Sequence, residues 1–276
     1  MNLNIKSIKI AGLGLIGGSF AKAFFKNGFK IYGYDKNKKT LIDAACSGIF
    51  EGVTNNLDEF LEFESDLIYV CLPVNSALIM MEELGKRSVK TLITDACSTK
   101  SMLCKKASEL NLNFLGGHPI AGKEVSGFIN ADGEMLKGAY HILMASKNTD
   151  FLGLLQKIHT DIGMKVRIME PLKHDEIFGL ISHFPHLIAF SLIDFVETEN
   201  IEALSFTGGG FKDFTRIAKS DPIMWSDIFF DNKDILIKFI DRFTKKLNDW
   251  KEIITGHNYS ELKNMIEKVK ITREGL

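Results

Sequence analysis

The sequence predicts an α/β protein, with an open parallel sheet covered by helices over residues 1–170 and an all-helical region over 171–276. Three observations predict it. Short β-rich runs alternate with helix-length segments through the first half, the order that builds βαβ units. One such run, Leu67 to Leu72, is apolar without alternation, as strands buried on both faces are. From Pro171 onward the β-rich runs cease and apolar residues recur at helical spacing.

In chain order the candidate strands are 7–11, 30–34, 67–72, 91–95, 113–117, 140–145 and 165–169. Candidate helices between them include 15–27, 36–45, 76–85 and 99–110. Pro171 suits the first turn of a long helix running towards Val196, where its missing N–H costs nothing. Pro185 lies inside that helix and is expected to remove a backbone bond and bend it. Gly208, Gly209 and Gly210 interrupt the next segment before another helix. Residues 259–270 form an amphipathic helix, and 271–276 a frayed end.

Composition excludes several classes of function. Lys plus Arg number 34 against 35 Asp plus Glu, so no global field attracts nucleic acid or an anionic membrane. Cys46, Cys71, Cys97 and Cys104 form no CxxC pair and are expected to be reduced thiols. The N-terminus runs directly into a strand without the apolar stretch of a signal peptide, which predicts a cytoplasmic protein. The apolar stretch 180–195 contains His183, Pro185, His186 and Asp194 and falls short of the roughly 20 residues of a spanning helix. It is expected to be a buried helix.

The first strand leads into Gly12-Leu13-Gly14-Leu15-Ile16-Gly17, a GxGxxG between strand and helix. Gly12 permits the tight turn, Gly14 lets the backbone approach a pyrophosphate, and Gly17 lets the helix pack on the strand. Backbone N–H groups from Leu15 and Ile16 onward then face the phosphates. Asp35, at the end of the second strand, is placed to accept hydrogen bonds from a ribose, and its charge favours NAD over NADP. Lys36, Lys38 and Lys39 are the alternative, as partners for a 2′-phosphate or as solvated residues at a helix start.

Ligands on an open parallel sheet sit at the carboxyl ends of its strands. One rich end is Thr94-Asp95-Ala96-Cys97-Ser98-Thr99-Lys100, where Thr99 is expected to cap the next helix while Ser98 points to the crevice. The second is Gly116-Gly117-His118-Pro119, a histidine ending a strand, with an imidazole suited to accept the proton of an alcohol. The helical region adds His174, Asp175 and Glu176, then Ser182, His183 and His186, which share a helix face. Their spacing matches no familiar metal-ligand set, and hydrogen-bonded histidines near a polar substrate are expected instead. Lys212 and Arg216, four apart, place two cations on one face, and Arg216 can grip a carboxylate bidentately; a solvated surface with Asp213 pairing Arg216 is the alternative.

In this order the motifs resemble those of the prephenate dehydrogenase family, arogenate-using members included. They are GLGLIGGS at 12–19, D-x-x-S-x-K at 95–100, HPIAGKE at 118–124, SHFPH at 182–186 and GFKDFTRIA at 210–218, with Trp225 beyond. The resemblance implies a Rossmann-type NAD-binding domain over 1–170 and a helical substrate-binding and dimerisation domain over 171–276. It implies NAD-dependent oxidative decarboxylation of prephenate or arogenate by a homodimer, with His118 as the catalytic histidine and Ser98 assisting. It further implies Arg216 on the ring carboxylate with Lys212, His186 and Ser182 nearby, Glu124 at the mouth of the cleft, and Trp225 closing the site from the partner subunit. Lys123 departs from the small residue many members carry there, which bears on the choice between prephenate and arogenate. Two rivals remain at this stage: a β-hydroxyacid dehydrogenase, which would use a helix-borne lysine, and a non-catalytic NAD-sensing protein, which would need no proton acceptor.

Overall fold

The computed structural model describes residues 5–123 and 125–276. The chain forms two compact units, Met1–Asn232 and Lys233–Leu276.

The first unit begins with a six-stranded sheet made of β1 (Ser7–Ala11), β2 (Lys30–Tyr34), β3 (Gly52–Thr54), β4 (Leu67–Val70), β5 (Leu92–Asp95) and β6 (Phe114–Leu115). Its order is β3-β2-β1-β4-β5-β6, and every pairing is parallel. The strand order reverses between β1 and β4, which opens a crevice at their carboxyl ends. Connecting helices are α1 (Leu15–Lys26), α2 (Lys38–Cys46), α3 (Leu57–Glu62), α4 (Val74–Lys86) and α5 (Ser101–Glu109). Asn37 and Asn56 cap α2 and α3 by accepting the amides of the first turn. The short β3 and α3 escape sequence reading because three residues of strand and six of helix carry too little periodicity.

Alternate residues of β4 go to opposite faces: Leu67 and Tyr69 join a core with Phe20 and Phe24, while Ile68 and Val70 join another with Met80, Met81 and Leu84. That split is the reason the strand reads as continuously apolar.

The expected strand 113–117 divides at Gly116. β6 ends in the parallel sheet, and β7 (Gly117–Ile120) starts a second sheet with β8 (Tyr140–Met144) and β9 (Lys165–Met169), in the order β7-β8-β9. β7 pairs antiparallel with β8, so the second sheet is mixed. His118 therefore lies within a strand, paired opposite Ile142, and does not end one. Pro119 is tolerated because β7 is an edge strand. α6 (Thr149–Asp161) links β8 to β9 and packs on the core through Phe151, Leu155 and Ile158.

Beyond β9 the unit is helical: α7 (Pro171–Phe178), a π turn (Gly179–His183), α8 (Phe184–Asn200), α9 (Gly209–Thr215) and α10 (Pro222–Asp231). Pro171 stands at the start of α7 as expected. Pro185 does not interrupt a helix, because the wide turn before it absorbs the missing bond and Pro185 falls in the first turn of α8. The run Pro171–Phe206 is long and apolar enough to cross a membrane by length and composition alone, which corrects the shorter span read from the sequence. Nor is it a buried helix within the chain. Phe184 and Ala189 are the buried residues of α8, while Leu180, Ile181 and Phe195 are exposed.

The second unit is a pair of helices, α11 (Lys233–Thr255) and α12 (Tyr259–Glu274). Asn258 caps α12 by accepting the Glu261 amide and donating to its carboxylate. The helix continues past residue 270, so the expected fraying starts only at its end.

Candidate active site

The glycine turn after β1 has the geometry of a phosphate cradle. Gly12 adopts φ +91°, and a Cβ there would lie 2.4 Å from the Cys71 carbonyl oxygen. A Cβ on Gly17 would lie 1.9 Å from the Gly12 carbonyl oxygen, so only glycine lets α1 start this close to the turn. Gly14 faces open space, with nothing within 4 Å of where its Cβ would stand. Leu15 and Ile16 follow in the partly exposed first turn of α1. Asp35 Oδ2 accepts the Leu13 amide at 2.8 Å and Oδ1 the Asn37 amide at 2.8 Å, which fixes the carboxylate beside the glycine turn. Lys36, Lys38 and Lys39 are exposed. These features fit a dinucleotide with its pyrophosphate on α1 and its adenosine towards β2.

The loops after β4 and β5 stand on the other side of the switch point. The Ala96 amide donates to the Val70 carbonyl at 2.9 Å, and Cys97 Sγ to Leu72 at 3.3 Å. Ser98 is half-buried in the second loop. Thr99 does not cap α5. Asp175 caps it from α7, with Oδ1 accepting the Lys100 amide and Oδ2 the Ser101 amide, both at 2.8 Å. No local spacing announces a cap supplied 75 residues away in the chain.

Asp175 also begins a chain of imidazoles. His174 Nδ1 lies 2.9 Å from Asp175 Oδ1, and His174 Nε2 lies 2.8 Å from His118 Nδ1. A carboxylate only accepts, so His174 carries its proton on Nδ1; His118 Nδ1 then donates to His174 Nε2, and His118 Nε2 is left with a lone pair. Burial, then the neighbouring His174, Lys100 and His183, hold the His118 pKa well below its ordinary value, so the ring is neutral. Burial raises the Asp175 pKa, but hydrogen bonds from His174 and Ser101 outweigh it and the carboxyl stays ionised.

On the far side Asn232 Nδ2 donates to the Asp175 carbonyl at 3.0 Å and to His183 Nδ1 at 3.1 Å. The proton of His183 is therefore on Nε2, a buried atom without a well-formed hydrogen bond among the described residues. Burial lowers the His183 pKa to about 4, opposed by Asp175 and the Ser98 carbonyl. Asn232 stands in none of the sequence motifs, and Asp95 and Lys100 enter theirs without an assigned role.

The structure joins some of the expected substrate residues to this cluster. His186 stacks on Trp225 with centroids 3.6 Å apart, and its Nδ1 donates to the Ser182 carbonyl at 2.9 Å. Trp225 also packs near Phe190 and Phe229, and its Nε1 is buried with no hydrogen bond among the described residues. Lys212 lies in α9 and Arg216 at its end with helical angles, both exposed, and the turn carrying Arg216 packs against α8. Lys123 is half exposed, its Nζ 3.8 Å from Asp132. Glu124 lies outside the described residues.

Two family models cover most of the chain. The prephenate dehydrogenase nucleotide-binding domain matches residues 20–168, and the prephenate dehydrogenase dimerization domain matches 170–268. The chain belongs to the prephenate dehydrogenase family. The prephenate dehydrogenase of Bacillus subtilis is 34% identical, over 99% of this chain and 76% of that protein. That of Lactococcus lactis is 32% identical, over 99% and 78%. The crystal structure of prephenate dehydrogenase from Aquifex aeolicus with hydroxyphenyl propionate and NAD+ superposes with a TM-score of 0.93 at 37% identity, covering 100% of this chain and 99% of that one.

Proposed function

We propose that this protein is an NAD-dependent prephenate dehydrogenase, converting prephenate to 4-hydroxyphenylpyruvate in tyrosine biosynthesis. The observation that carries the reading is the Asp175–His174–His118 chain, which delivers a neutral imidazole whose acceptor nitrogen has no partner among the described residues. Residues 1–170 supply the cofactor side, with the amides after Gly12, Gly14 and Gly17 on the pyrophosphate and Asp35 on the ribose. Residues 171–276 supply the substrate and dimerisation side. NAD, when bound, takes up the two electrons released at the carbinol carbon. His118 Nε2 receives the hydroxyl proton, and Ser98 hydrogen-bonds the same hydroxyl.

Arg216 grips the ring carboxylate, with Lys212, His186 and Ser182 around the substrate and Trp225 closing over it from the partner subunit. Aromatisation drives loss of carbon dioxide, so the protein mainly orients the ring and excludes water. Lys123 favours prephenate over arogenate, since a cation near the cleft repels the arogenate ammonium; Glu124 controls access there. The exposed Leu180, Ile181 and Phe195 are cover for a second copy of the chain, and a homodimer in the cytoplasm is the working form. NADH formation with prephenate and with arogenate, for the wild type and His118→Asn, tests the reading. Turnover of neither acid, or an unimpaired variant, overturns it.

A further inference from the structure

A fully buried ion pair lies directly behind His118. Lys100 Nζ contacts Asp95 Oδ2, and the two side chains are 0% and 1% exposed. Neither residue has a role in the proposed chemistry. Replacement of such a pair by apolar side chains is often neutral for stability, so its presence asks for another explanation.

The hydrogen bonds supply one. Asp95 Oδ1 accepts the Gly117 amide at 2.9 Å, while Oδ2 accepts the Cys97 amide at 2.9 Å. Lys100 Nζ donates to the Gly117 carbonyl at 2.8 Å. The anion thus holds the peptide before the Gly117 Cα and the cation holds the peptide after it, which is the peptide that carries the His118 nitrogen. Gly117 has no room for a side chain: a Cβ would lie 2.7 Å from His141 Nε2 and 2.9 Å from the Asp95 carbonyl. The Lys100 amide meanwhile donates to Asp175, the carboxylate that fixes the proton on His174.

We propose that the Asp95–Lys100 pair is the positioning device of the reaction centre, clamping both peptides of Gly117 and so setting where the His118 imidazole stands. The inference rests on His118 being the proton acceptor. Lys100 joins both halves of the arrangement, since its side chain holds the strand that bears His118 and its backbone holds the group that orients the ring. It touches neither substrate nor cofactor, and acts through His118 alone.

The test is the kinetics of Lys100→Met, with Asp95→Asn/Lys100→Met made alongside so that no buried charge is left unpaired if the single variant fails to fold. A displacement of the base on the order of 1 Å costs about 10²-fold in rate, so kcat falls by about that factor while the KM for prephenate stays within about threefold. The titratable and charged groups around His118 are His174 and Asp175, Lys100 and Asp95, His183, and His141 behind β7. Loss of the Lys100 cation also moves the acid limb of the kcat/KM profile to higher pH, because that cation lowers the His118 pKa; the fall in kcat at a kept KM is the readout that a purely structural lysine would not give. In the wild-type enzyme the Gly117 amide, held by the buried Asp95 carboxylate, is expected to exchange with solvent only on global unfolding. A kcat within twofold of wild type with an unmoved acid limb, or rapid exchange at Gly117, overturns the clamp. If His118→Asn loses its turnover while Lys100→Met keeps a kcat within twofold of wild type, the clamp alone fails; if His118→Asn keeps its turnover, the base assignment fails and the clamp falls with it.

Discussion

His174 stands between His118 and Asp175, 2.8 Å from one and 2.9 Å from the other, and its single proton can serve only one of them. Because the carboxylate claims it, the direction of every hydrogen bond in the row is set. Asp175→Asn removes that claim and lets His174 adopt the other tautomer, which turns the His118 lone pair inward. The expected outcome is a fall in kcat of at least about tenfold, with a small change in KM. Steady-state kinetics at several pH values check it, and a variant with unchanged kcat contradicts the assigned direction.

His118→Asn keeps a polar side chain of similar reach but cannot take a proton. Turnover is expected to fall by about 10²–10⁴-fold, the usual contribution of a positioned base. Binding of NAD, followed by protein fluorescence, should stay near wild type, since the glycine turn and Asp35 lie on the other side of the switch point.

Arg216→Ala tests the carboxylate clamp. Loss of a bidentate charged contact made equally to ground and transition states raises KM, here by about tenfold or more, with kcat changed far less. An unchanged KM would remove Arg216 from the substrate site.

Asp35→Ala addresses cofactor choice. The carboxylate both anchors the Leu13 amide and repels a 2′-phosphate. We expect the kcat/KM ratio of NAD to NADP to drop by about tenfold or more, read directly from initial rates with each cofactor.

The buried histidines make the fold acid-labile. Burial lowers the pKa of His159 and of His183 to about 4, and lowers those of His118, His141 and His174 as well. In the unfolded chain these rings titrate near 6.5, so between the two values the unfolded state binds more protons and stability falls as pH falls. The stabilisation is complete above about pH 6.5 and is lost progressively towards pH 4. His159 and His183 alone account for about 2 kcal/mol each between pH 7 and pH 5. A melting temperature that stays level across that window would contradict this.

Much of the fold was legible because it depends on local signals. The glycine turn and Asp35 announce themselves by spacing, and the two-sided burial of β4 by its unbroken apolar run. The split at Gly116 was not legible: a glycine pair before a histidine reads equally well as the end of one strand or the start of another. The candidate site was legible in the half-buried His118, Ser182 and His186, and illegible in much of what supports them. Asp95, Lys100 and Asn232 are ordinary polar residues until the chain brings together segments that lie far apart, as the bond from Lys100 to Asp175 does. Thr99 was assigned a cap that a distant carboxylate provides, since capping spacing says nothing of competitors from another helix.

The π turn at Gly179–His183 inserts one residue into the helical ladder between His174 and His186. In a regular spiral the Pro185 ring would press on the carbonyl one turn earlier, so the wide turn makes room for a proline inside the helical segment. Excising a single residue there would restore a regular spiral and bring that clash back. The segment is consequently far more tolerant of altered side chains than of altered length, a constraint on insertions and deletions that no individual contact within it imposes.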